Sequence, residues 1–264
     1  MPRRILTIPA SLVRVRRRSD SRMAGFSMTA AAVRASGGID GDRESIFMRR
    51  LSTFLFALTA SCTLILAPIR VLHADDTVRI LAFGDSLTAG YGLSEADGFT
   101  AQLARGLTKM GRKVQVINGG VSGDTTTGGL ARLDWSLSEE PQVMLLELGG
   151  NDMLRGLPPE TVRSNLEQMI LKAQQDKVTV MLIGMRAAPN LGADYQRQFD
   201  GLYPALAKAH DLIFYPFMLE GVAGDPALMQ SDGIHANPKG VAIIVERMLP
   251  SVLQALDRAQ KPAG

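Results

Sequence analysis

The sequence predicts an α/β fold, a three-layer α/β/α sandwich around a mainly parallel five-stranded sheet. Two observations carry this. Short, apolar, largely β-branched runs alternate along residues 75–264 with longer stretches of helical spacing. Runs of that kind suit strands buried on both faces, and strands alternating with helices point to a parallel sheet covered on each side.

The elements follow in order. Residues 78–83 read as the first strand, and 99–110 as the first long helix, with Gly111 as its stop signal. A second strand at 114–118 precedes a helix at 126–137. A third at 143–148 precedes a helix at 160–175, which Pro158 and Pro159 introduce. The fourth strand, 178–183, leads to a helix at 195–210, and the fifth occupies 212–215. A last helix begins near Pro238 and runs toward Gln254, with a break or kink expected at Pro250.

The first 74 residues read differently. Met48, Arg49 and Arg50 precede an apolar stretch and then Val71, Leu72, His73 and Ala74, the pattern of a bacterial secretory signal ending at a small residue. Leu51 to Ala67 approaches the roughly 17–25 residues of a membrane anchor. Ser52, Thr53, Thr59, Ser61, Cys62 and Thr63 dilute it, which favours cleavage. Membrane contact is then expected only through this segment, before cleavage. Residues 1–47 read as a disordered or mis-annotated extension, with translation starting at Met48. Three segments result: 1–47 the extension, 48–74 the signal peptide, 75–264 one domain exported to the periplasm or beyond.

Charge divides along the same line. Residues 1–74 hold 12 Lys+Arg against 4 Asp+Glu, and residues 75–264 hold 17 against 22. The positive balance belongs to the leader, and nothing in the body argues for nucleic-acid binding. Cys62, the chain's single cysteine, lies in the leader. An exported body without disulfides must be held by its hydrophobic core, which a domain of this size can build.

Four blocks carry chemistry: Gly84-Asp85-Ser86-Leu87, Ser122-Gly123-Asp124, Gly149-Gly150-Asn151-Asp152 and Asp232-Gly233-Ile234-His235. The first three fall just past predicted strand ends, where sites form in open parallel sheets. Each has a plainer reading. Ser86 could cap a helix, Gly123 could sit at a helix start, and Asn151 could stabilise a turn. Together they supply a serine, two oxyanion donors and an acid–histidine pair. His235 stands three residues after Asp232, close enough for one imidazole nitrogen to bond the carboxylate while the other meets the serine. His210, the other body histidine, ends a helix, where a structural role is expected. The third glycine of G-x-G-x-x-G is missing after Gly90 and Gly92, which argues against a dinucleotide loop. Neither Ser86 nor Ser122 lies in a G-x-S-x-G elbow.

The four blocks resemble those of the SGNH (GDSL) hydrolase superfamily, a flavodoxin-like fold. The strings Gly-Asp-Ser-Leu-Thr-Ala-Gly-Tyr from Gly84, Ser-Gly-Asp-Thr-Thr from Ser122 and Glu-Leu-Gly-Gly-Asn-Asp from Glu147 are similar to its small periplasmic thioesterase, lysophospholipase and arylesterase branch. The resemblance implies a metal-free, cofactor-free, single-domain serine esterase or thioesterase acting on small acyl esters, expected to be a monomer. Ser86, Asp232 and His235 would be catalytic, and the Ser86 N–H, the Gly123 N–H and the Asn151 amide would hold the oxyanion. An acyl loop is expected at Met153, Leu154 and Leu157, with Met185 nearby. The region 185–190 departs from the branch, with small residues where larger apolar ones line its acyl pocket. Two alternatives stand beside this: a carbohydrate O-deacetylase of the same fold, and a non-catalytic lipid- or carbohydrate-binding protein. The second is disfavoured because every catalytic position is filled.

Overall fold

The structure is a computed structural model, and it describes residues 77–261. The extension and signal peptide read from the sequence lie outside those residues.

Five strands form one sheet among the described residues: β1 (Val78–Gly84), β2 (Val114–Gly120), β3 (Val143–Glu147), β4 (Thr179–Ile183) and β5 (Ile213–Tyr215). Their order is β2-β1-β3-β4-β5, and every pairing is parallel. The centre of the sheet bears out the reading of strands buried on both faces, since every residue of β3 is buried. β2 departs from it. As an edge strand with partners on one side only, it is half-buried or exposed throughout.

The described residues include seven α-helices, between and after the strands: α1 (Ser86–Ala89), α2 (Phe99–Lys109), α3 (Thr126–Leu137), α4 (Gly150–Leu154), α5 (Pro159–Gln175), α6 (Ala193–Ala209) and α7 (Pro238–Ala259). α2 packs on α7, while α3 packs on α5 and α5 on α6, which makes the two outer layers. Sequence periodicity misses α1 and α4 because neither is long enough to show a period. Both sit at the site.

α7 corrects one expectation. It runs through Pro250 without a break and ends five residues beyond Gln254, at Ala259. Proline removes a single helical donor, the one that would have met the Glu246 carbonyl. Glu246 and Pro250 both face solvent, so water can serve that carbonyl. Val245, Met248, Val252 and Leu256 are buried on the opposite face and hold the helix to the sheet. Packing outweighs the local cost.

The strand order places the site. The chain leaves β1 toward β2 on one side and later returns to β3 on the other, so the crevice opens past the ends of β1 and β3. Gly84, the last residue of β1, pairs with Gly120 of β2 and Glu147 of β3. Three of the four sequence blocks therefore begin on three neighbouring strand ends.

Candidate active site

Asp85 turns the chain from β1 into α1. Its side chain accepts the Leu87 N–H at 3.0 Å and is the helix cap. Ser86 is the first residue of α1, not its cap, so its hydroxyl is free for another partner. That partner is His235, whose Nε2 lies 2.8 Å from Ser86 Oγ. Nδ1 of the same ring lies 2.6 Å from Asp232 Oδ2. Asp232 Oδ1 accepts the backbone N–H groups of Ile234 at 2.9 Å and His235 at 3.0 Å. Those backbone bonds, with the imidazole beside them, lower the Asp232 carboxyl to about 2.

The loop carrying Asp232 and His235 is tied down at both ends. Gln230 N–H donates to the His235 carbonyl at 2.7 Å, and Gln230 Nε2 donates to the carbonyls of Tyr91 and Ala236. Asn237 caps α7 by accepting from Lys239 and Gly240. The Tyr91 ring lies against the imidazole, with centroids 4.7 Å apart. No sequence motif singles out Gln230, and Tyr91, which ends the string that begins at Gly84, carries no signal of a contact with the imidazole. The two come together only when the chain folds across 139 positions.

Gly123 follows β2 in a turn with φ of +81°, a conformation that favours glycine. Its carbonyl accepts from Arg155 at 2.8 Å, and its N–H meets no protein acceptor among the described residues. Arg132 braces this corner. It bonds Asp124 Oδ2 at 2.7 Å and the carbonyls of Gly119 and Gly84, and stacks 4.0 Å above the Phe83 ring. Asn151 opens α4 after Gly149, whose φ is +117° and whose Cα faces the Tyr203 hydroxyl too closely to carry a side chain. One N–H of the Asn151 amide donates to Asp85 Oδ2 at 3.1 Å.

The apolar positions expected near the acyl chain divide. Leu154 is exposed, Leu157 half-buried, and Met153 and Met185 are buried in the core. Met185 lies against Gly150. A second apolar feature has no signal in the sequence: Leu87, Leu93, Phe99, Met218 and Ile244 pack beside Ser86 and His235 around a crevice of about 10 Å³, room for no more than a water. Its walls come from α1, α2 and α7, and no local pattern brings those together. His210 is at the C-terminus of α6, 2.9 Å from Glu167 Oε1 and away from these groups.

A doubly wound parallel sheet with its serine, glycine and asparagine on adjacent strand ends is the build of SGNH hydrolases. The GDSL-like lipase/acylhydrolase family model matches residues 82–243, and the chain belongs to that family. It is an esterase or thioesterase of this class. Among its relatives is "Esterase TesA" of Pseudomonas aeruginosa, 40% identical over 174 residues, which are 66% of this chain and 87% of that one. Another is "Thioesterase 1/protease 1/lysophospholipase L1" of Escherichia coli, 38% identical over 186 residues, 70% and 86% of the two chains. Among solved structures, AlinE4, a SGNH-hydrolase family esterase, is 46% identical with a TM-score of 0.59 over 69% of this chain and 98% of its own.

Proposed function

We propose that the chain cleaves acyl esters and thioesters by acyl transfer through a covalent serine ester. Ser86 is the nucleophile, and the unbroken hydrogen-bonded chain from Asp232 through His235 to Ser86 is the observation that carries this reading. His235 Nε2 takes the hydroxyl proton as Oγ attacks the carbonyl carbon. Asp232 accepts from Nδ1, fixes the tautomer and stabilises the imidazolium. The N–H groups of Ser86 and Gly123 and the Asn151 amide bond the oxyanion. His235 then protonates the leaving alcohol or thiol, and afterwards activates water to release the acid.

The relatives named esterase and thioesterase/lysophospholipase support carboxylic esters, thioesters and lysophospholipids as the substrate class. The exposed Leu154 suits an apolar acyl or alcohol group. The protein acts in the periplasm, as a monomer, after loss of a leader at residues 48–74.

Ser86→Ala tests the core of this reading. Hydrolysis of p-nitrophenyl acetate is expected to disappear while the thermal melt is retained, and a fluorophosphonate is expected to label the native protein at Ser86 alone. Unchanged turnover in the variant overturns it.

A further inference from the structure

Two carboxyl groups lie beneath the serine turn, and the acyl transfer proposed above uses neither. Asp85 is 2% exposed and Glu147 1%. Carboxylates so deeply buried are costly unless paired or well hydrogen-bonded. Neither forms an ion pair with a lysine or arginine among the described residues; Arg132, which reaches the Gly84 carbonyl, pairs with Asp124.

Their hydrogen bonds have a direction. Glu147 Oε2 accepts the Thr88 hydroxyl at 2.8 Å and the Asp85 N–H at 3.3 Å, so it grips the peptide just before the serine. Asp85 in turn spends its two oxygens on two donors, the Leu87 N–H through Oδ1 and the Asn151 amide through Oδ2. Among side chains of this length, a carboxylate is suited to accept at both ends. An asparagine would present an N–H₂ to one donor, and a serine would reach only the nearer.

The Asn151 bond has a consequence for the amide's other N–H, which has no protein acceptor among the described residues. The terminal torsion of asparagine is soft, so an unanchored amide would spread over many orientations. An oxyanion donor stabilises the transition state most when its orientation is set beforehand. We propose that Asp85 is a positioning residue: by accepting one N–H of Asn151 it aims the other at the oxyanion, and Glu147 holds Asp85 in place from below. This rests on the oxyanion role of Asn151 proposed above.

Charge is shared unevenly between the two. Burial, and then the neighbouring Asp85, drive the Glu147 carboxyl well above its ordinary range. Burial pushes Asp85 up to about 6, against the Leu87 N–H, His235 and the Asn151 amide, which favour its charge; Asp124 adds to the rise. At pH 7 and above Asp85 is therefore mostly ionised and accepts on both oxygens.

A double-mutant cycle on the full chain tests this with p-nitrophenyl acetate. Asp85→Ser keeps a good helix cap for Leu87 but cannot reach Asn151. It is expected to lower kcat about 10-fold or more and leave KM within about twofold. Asp85→Asn, nearly isosteric, is expected to do the same and carries the cycle if the serine variant does not fold. Asn151→Ala alone is expected to lose about 10²-fold, and adding either Asp85 change to it costs less than about twofold more. Glu147→Gln, which still offers an acceptor to Thr88 and Asp85, is expected to keep kcat within about threefold. Losses that multiply in the double variant overturn the proposal, as does an Asp85 effect on KM alone. A Glu147→Gln loss as large as that of Asp85→Asn also overturns it. If Asn151→Ala is itself harmless, the oxyanion reading fails first and takes this one with it.

Discussion

Two aspartates of the site respond to acid in opposite senses. Asp232 is held at about 2 by backbone N–H groups and His235, below the ordinary carboxyl value of 3.8. A depressed carboxyl stabilises the fold above its unfolded value, and that contribution fades as the pH falls through 3.8 toward 2. Asp85 is raised to about 6, so its folded form binds more protons than its unfolded form between about 4 and 6. Its contribution favours the fold at the acid end of that window and is lost as the pH rises through it. Thermal melts of Asp232→Asn are therefore expected to lose part of the wild-type decline between about pH 4 and 2. Those of Asp85→Asn are expected to lose part of a decline on rising from about pH 4 to 6. At the same scale, Asn151→Ala is expected to act on kcat far more than on KM, because that donor bonds the transition state more strongly than the ground state. A change confined to KM would mean that Asn151 only holds substrate.

Short elements, not the long ones, decide how the site is set. β1 ends on Gly84, and a side chain there would run into Thr88, the Glu147 carboxyl and the Glu147 carbonyl. Gly84→Ala is expected to destabilise the protein by about 1–3 kcal/mol, measured by urea unfolding, because this overpacking has no free space to relax into. α4 carries Asn151 at one end and exposes Leu154 near the other. Leu154→Ser is expected to lower kcat/KM for octanoyl esters more than for acetyl esters, by up to ~0.8 kcal/mol for each CH₂ that the serine leaves in water. A uniform loss would instead mean that the loop is structural and that the acyl chain lies elsewhere. Long helices tolerate more than their sequence suggests. Pro204 and Pro250 both lie inside helices, on solvent-facing positions where the missing donor matters least.

At the scale of the whole molecule, the leader and the body are separate matters. The mature protein is expected to begin near Asp75, and Edman sequencing of the active enzyme that finds residues 1–47 would contradict this. The alternation of strands and helices, and the four blocks past strand ends, are legible in sequence because each is a local pattern: a period, a stop residue, or polar groups beside glycine. That is why the helix at residues 126–137 matches to the residue and the other long elements to within a few. The long reach of the site is not legible. Glu147 closes an otherwise apolar strand, a local signal of a buried charge in need of a partner, but nothing in sequence names Asp85, 62 positions away. Tyr91 over His235, Gln230 on Tyr91 and Arg132 across the ends of β1 and β2 are of the same kind. Sequence by itself determined which groups are present and which strand end carries each, since both follow from residue type and local period. Only the tertiary structure decided which groups touch, because strand order and helix packing set distances between residues far apart in the chain.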